Sequence, residues 1–210
     1  MKRTAIGIRV HSGWGALIAI AGDAASPQLI ERGRIVIIDP KSSGAAQPYH
    51  FAKNLKLTEA EQHIARSAAA SARLAEEALR EITGRLAQSG FIVAGAALLL
   101  SAGRTLPPLP RVLAAHPLIH TAEGEFFREA FRHALEQLCI RVTGIREREL
   151  EARSAAVFGK SAVQLPSRID SAARSLGPPW TQDQKLAALA AMVVLADRKS
   201  TTKSMRAAID

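Results

Sequence analysis

Residues 91–100, FIVAGAALLL, form an unbroken apolar stretch between Ser89-Gly90 and a proline-rich segment. The run falls well short of the roughly 20 residues needed to cross a bilayer. It suits a central strand buried on both faces, which a sheet achieves when helices cover both of its sides. That single requirement points to an α/β fold.

The flanking segments supply the partners. AIGIRVHSGWGALIAI (5–20) reads as two strands around the turn SGWG (12–15). Ile6, Ile8 and Val10 face one way, and Ala5, Gly7, Arg9 and His11 the other. QLIERGRIVIID (28–39) is a third strand, and the short connections make an antiparallel meander. A loop is expected over 40–56. A long helix follows, with Thr58 and Glu61 as its capping box. Its apolar stripe is Ile64, Ala68, Ala72, Ala75, Leu79, Ile82 and Leu86, and Ser89-Gly90 ends it.

Beyond the apolar run, four prolines make 101–120 a crossing loop, with one helical turn near 111–115. Thr121 caps the next helix, whose stripe is Phe127, Ala130, Phe131, Ala134 and Leu138. CIRVTGI (139–145) is a fifth strand. RERELEARSAAVFG and PSRIDSAARSLG are helical. TQDQKLAALAAMVVLAD opens on a second capping box, Thr181 with Gln184, and is apolar nearly all round, hence buried. The expectation is one domain over 1–197, with a polar, frayed tail over 198–210.

Composition bounds the function. Hydrophobic residues at 48% and charged residues at 22% are ordinary for a soluble globular protein. The lone cysteine, Cys139, excludes an internal disulfide and fits a reducing compartment. Arg9 and His11 interrupt the apolar part of MKRTAIGIRVH, which makes a poor secretion signal. A cytoplasmic protein without a membrane segment is expected. The net charge of +9 favours an anionic partner, nucleic acid or a phosphorylated ligand. The arginines are scattered and aromatics amount to only 4%, so a charge that serves solubility alone stands beside that reading.

Three meandering strands, helix, strand, helix, strand and terminal helices is an order that resembles the ribonuclease H-like superfamily. The nearest resemblance is to its Holliday-junction resolvase (RuvC-like) branch: GIRVHSGWG looks like the branch's first-strand segment, and WTQDQKLAALAAMVVL is similar to its acid-bearing last helix. The resemblance covers roughly residues 4–196. It implies a ribonuclease H-like, mixed five-stranded sheet, three strands antiparallel and then two parallel, with helices on both faces. It also implies chemistry that needs clustered carboxylates, because two hard cations need several oxygen ligands to clamp a phosphodiester.

The departures from that pattern carry weight. The position matching the family's first-strand aspartate is Arg9. The segment IVAGAALLL contains no acid. Only Asp183 is available at the last helix, and a first-turn acid is also what the helix dipole favours. A guanidinium stays charged and repels a metal ion. The expectation is therefore a protein with no metal and no cofactor, and no two-metal nuclease.

Anion binding is assigned to Arg9, His11, Ser12 and Arg128. The alternative for Arg9 is a pair with Glu31 or a place at an exposed strand edge. Candidate catalytic residues are His116, His120, Glu123, Glu125 and Asp183, which would make the chain an enzyme of unassigned reaction; His50 could join them through its loop. Two histidines and a carboxylate can make a metal site, but Pro117 argues that His116 and His120 do not share a helix face. Arg128 and Arg132, four apart, can meet an anion or the glutamates. A third reading is self-assembly into a homo-oligomer through the alanine-rich helix 58–88. FGKSA (158–162) lacks the glycine and strand of a phosphate-binding loop. Cys139 reads as a buried thiol, Trp180 as a plug between helices, and His63 and His133 as solvated.

Overall fold

A computed structural model describes residues 1–101 and 105–197. The expected tail over 198–210, and residues 102–104 of the expected crossing loop, lie outside the described residues. The elements are β1 (Lys2–His11), β2 (Trp14–Gly22), β3 (Pro27–Val36), α1 (Pro48–Ala52), α2 (Leu57–Gln88), β4 (Phe91–Leu100), α3 (Leu109–Leu113), α4 (His116–Gln137), β5 (Val142–Arg146), α5 (Leu150–Phe158), α6 (Leu165–Ala173) and α7 (Gln182–Ala196).

The sheet runs β3-β2-β1-β4-β5. Antiparallel pairing joins β1 to β2 and β2 to β3, and parallel pairing joins β4 to both β1 and β5. This is the α/β, ribonuclease H-like arrangement expected from the sequence. Because β1, β4 and β5 are parallel, their C-terminal ends meet at one edge, where open α/β sheets gather ligands.

Strand alternation divides the core. Ile6, Ile8, Leu17 and Leu98 face α2 and α4, where Leu79, Phe127 and Phe131 are fully buried. Ala5, Ile18 and Ala97 face α7, which α5 and α6 flank. The second face is built from small side chains and brings backbones together. A Cβ placed on Gly7 would lie 1.9 Å from the Ala187 carbonyl oxygen, so only glycine admits α7 at this depth. One helical turn rises about 5.4 Å, and two strand residues span about 6.6 Å. Gly7 under Ala187 therefore sets Arg9 beside Asp183, one turn earlier in α7.

Several boundaries differ from the sequence reading. The cap of α2 is Lys56, whose N–H donates to Glu59 Oε2 at 3.3 Å, so Thr58 and Glu61 lie inside the helix. Ile64, Ala68 and Ala72 are only half-buried, because β3 and β4 lie under the later turns of α2. The helix expected from Thr121 starts at His116: Pro117 occupies its first turn, where the missing N–H costs nothing and the fixed φ favours helix. His116 and His120 therefore do share a face.

The fifth strand begins at Val142, because 138–141 close α4. Cys139 takes a left-handed φ of 55°. Its N–H donates to Glu136 O, and Ile140 N–H donates to Leu135 O, both at 2.9 Å, as in a Schellman cap. Cys139 is exposed and not a buried thiol, since the αL cap turns it outward while Ile140 enters the core. The capping box of α7 forms as expected: Thr181 N–H donates to Gln184 Oε1 at 2.8 Å.

Candidate functional site

The C-terminal edge of the parallel strands collects residues from four distant segments. Arg9, at the end of β1, directs its guanidinium across that edge. Its Nε donates to Glu147 Oε1 at 2.9 Å and its Nη2 to Glu147 Oε2 at 3.1 Å, a bidentate fork. Its Nη1 donates to Asp183 Oδ1. The hydrogen bonds that Glu147 accepts raise the Arg9 pKa further, against the cost of partial burial, and Asp183 adds to the effect. Arg9 does not pair with Glu31, which accepts from Arg85.

Asp183 also faces His11. Its Oδ2 lies 3.2 Å from His11 Nε2, an ion pair when the imidazole is protonated, although the approach is off line for a hydrogen bond. The His11 ring stacks on Trp14, with centroids 4.4 Å apart and planes at 13°. The guanidinium of Arg34 covers Trp14, 3.9 Å from the ring centroid. His11 and Trp14, at the β1–β2 turn, thus stack with the guanidinium of Arg34 from β3. Ser12 sits exposed in that turn.

Arg128 approaches the same edge from α4. It is only 7% exposed, and its Nη2 donates to Ser101 Oγ, just past β4, and lies 3.2 Å from Glu125 Oε1. Burial lowers its pKa, against the favourable charges of Glu125 and Glu147. Arg9 and Arg128 therefore share the field of Glu147. Arg132 pairs with Glu129 at 3.6 Å. Glu147 is the site residue that sequence reasoning missed. The signal was present, because it directly follows the fifth strand, and the ends of parallel strands converge.

The remaining candidates form a second cluster where α1 meets the start of α4. His116 Nε2 and His120 Nε2 are 3.0 Å apart. His50, on α1, turns toward both, with ring centroids 5.1 Å from His116 and 4.8 Å from His120. Glu123 is 4% exposed and is not a first-turn dipole residue, because the helix begins seven residues before it. It accepts from the His50 backbone N–H at 3.1 Å, and His50 Nδ1 lies 3.0 Å from both of its carboxylate oxygens. Tyr49 packs edge-on against Phe126 and holds α1 to α4.

Other singled-out residues have structural surroundings. Trp180 packs at the α6–α7 joint and donates from Nε1 to Asp170 Oδ1 at 2.7 Å. His63 is half-buried and not solvated: it stacks on Phe51 at 4.5 Å, and burial, reinforced by Arg66, lowers its pKa. His133 is exposed. No helix among the described residues is long and apolar enough to cross a membrane.

No protein-family model and no curated protein sequence matches this chain. Solved structures do. The structure of T. thermophilus RuvC in complex with a Holliday junction substrate superposes with a TM-score of 0.53 at 10% identity, covering 90% of this chain and 91% of that one. A second Thermus thermophilus RuvC structure gives 0.49 at 12% identity, covering 92% of both chains. The yeast mitochondrial Holliday junction resolvase Ydc2 gives 0.48 at 10% identity, covering 91% of this chain and 77% of that one. At such identities the first of these establishes a shared fold, and no residue role is transferred with it.

Proposed function

We propose that this chain, built on the ribonuclease H-like fold that RuvC-type resolvases have, binds nucleic acid and does not cut it by a two-metal mechanism. The observation that carries the reading is Arg9 seated between Glu147 and Asp183. A pair of divalent cations at this edge would need several free carboxylate oxygens. Here Glu147 gives both oxygens to one guanidinium, and Asp183 gives one oxygen to it and turns the other toward His11. The fixed positive charge of Arg9 supplies the neutralisation that a metal ion would otherwise provide, and it repels an incoming cation.

Binding is supported by the net charge of +9 and by the His11–Trp14–Arg34 stack, which holds an exposed guanidinium beside the edge. The RuvC structure of similar fold is held on a Holliday junction substrate, which makes branched DNA the first probe. Arg9 itself is occupied by carboxylates, so in this reading it organises the edge. The phosphate contacts in this reading fall to Arg34, His11 and Ser12, which lie at or beside the β1–β2 turn.

The test is fluorescence anisotropy with a labelled four-way junction and a matched duplex, followed by incubation with Mg²⁺. Expected are binding that weakens steeply with added salt and an intact junction. Absence of binding at low salt would remove the nucleic-acid reading. Magnesium-dependent cleavage lost on Asp183→Asn would remove the claim about mechanism.

A second reading, an enzyme acting through the cluster at the start of α4, is favoured by the buried Glu123 oriented on His50. Elimination of any activity by His120→Ala in a folded protein would identify it.

A further inference from the structure

We propose that His50, His116 and His120 form a binding site for a divalent transition-metal ion of the zinc type, with Glu123 as the carboxylate that orients His50. Ligand atoms from the three imidazoles all lie within 4.8 Å of one another, and among the described residues this is the one histidine, cysteine or acid cluster that close.

Each part of the geometry has a local cause. Pro117 locks the first turn of α4, so His116 and His120, one turn apart, project from the same face. Pro48 starts the short helix α1, which brings His50 against both rings. A carboxylate only accepts hydrogen bonds, so Glu123 keeps the His50 proton on Nδ1 and leaves the Nε2 lone pair free. A ligating histidine bonded through its other nitrogen to a carboxylate is the usual outer-shell arrangement of such sites.

Charge and spacing agree with this. Glu123 is 4% exposed, and a buried carboxylate requires a compensating positive charge nearby. A dication on the three rings supplies it. Tetrahedral ligation at about 2.0–2.1 Å separates neighbouring nitrogens by about 3.3 Å, close to the 3.0 Å between His116 and His120. Three neutral imidazoles select zinc, cobalt, nickel or copper over magnesium or calcium. They leave a fourth position, on the side where His116 and His120 are exposed, for water or an anion. This site is independent of the Arg9 edge and of nucleic-acid binding.

The experiment uses the full untagged chain, freed of metal by chelator and titrated with Zn²⁺ alone, with Co²⁺ as a spectroscopic probe. One equivalent of zinc per chain is expected, with visible bands of four-coordinate cobalt. His116→Gln and His120→Gln, both at exposed positions, should abolish the bands while circular dichroism stays unchanged. Glu123→Gln should weaken binding by about 10–100-fold. Zinc binding equal in wild type and His116→Gln/His120→Gln, or no binding by folded wild type, would overturn the proposal and leave the three rings as a hydrogen-bonded group only.

Discussion

Gly7 of β1 lies directly under the Ala187 carbonyl of α7, so closely that any side chain at position 7 would displace the helix. This contact sets the height and register of α7, and with them the meeting of Arg9, His11 and Asp183. A glycine at the middle of the central strand thus positions the candidate site one turn away.

Gly7→Ala should accordingly destabilise the protein by roughly 1–3 kcal/mol, the usual cost of overpacking against an element that cannot yield. In a chain of this size that corresponds to a melting temperature lower by about 3–10 °C. Thermal denaturation followed by circular dichroism measures it. An unchanged midpoint would show that α7 slides without cost.

Arg9→Ala leaves Glu147 and Asp183 facing each other without their shared cation. All three side chains are partly exposed, so solvent screening limits the loss to on the order of 1 kcal/mol. Arg9→Asp goes further and gathers three carboxylates at the edge. That variant should show a Mn²⁺-dependent rise in melting temperature that the wild type lacks, because the repelling charge has become a ligand.

His63 gives the fold a pH dependence. Burial against Phe51, with Arg66 nearby, lowers its folded-state pKa below the ordinary 6.5. The unfolded chain therefore takes up a proton first. The contribution of His63 is fully present above pH 6.5 and is lost as pH falls through the depressed folded value. Urea midpoints at pH 7.5 and 5.5 should differ less in His63→Gln than in wild type. An equal difference in both would place the titrating group elsewhere.

Cys139 occupies the left-handed position that ends α4, which an L side chain fills at a cost. Cys139→Gly should stabilise by about 1 kcal/mol, read as a higher urea midpoint with an unchanged slope. The thiol is exposed, so Ellman's reagent should titrate it in the native wild type without denaturant.

Local physics in the sequence was sufficient for the strands, the longer helices and their order. It was not sufficient for the short helix α1, which forms within residues 40–56 where a loop is expected, because Pro48 starts a helical turn there. Period-two alternation in residues 4–11 and the Thr181/Gln184 box each encode a conformation within a few residues and form as expected. The apolar run at 91–100 forms the expected strand but is buried only over 95–99, with Ile92 exposed. Pro117 reads locally as a breaker, because its meaning depends on where the helix begins. At the first turn it starts α4 and aligns His116 with His120.

What only the tertiary structure decided is which charges meet. Arg9 lies 138 residues from Glu147 and 174 from Asp183 along the chain, and no periodicity links them. Their encounter depends on strand order and on the depth at which α7 rests on Gly7. The same holds for His50 and Glu123, 73 residues apart, which meet because α1 docks on α4. Propensity and patterning act over one or two turns of chain, whereas a site assembled from strand ends and helix starts is a property of packing.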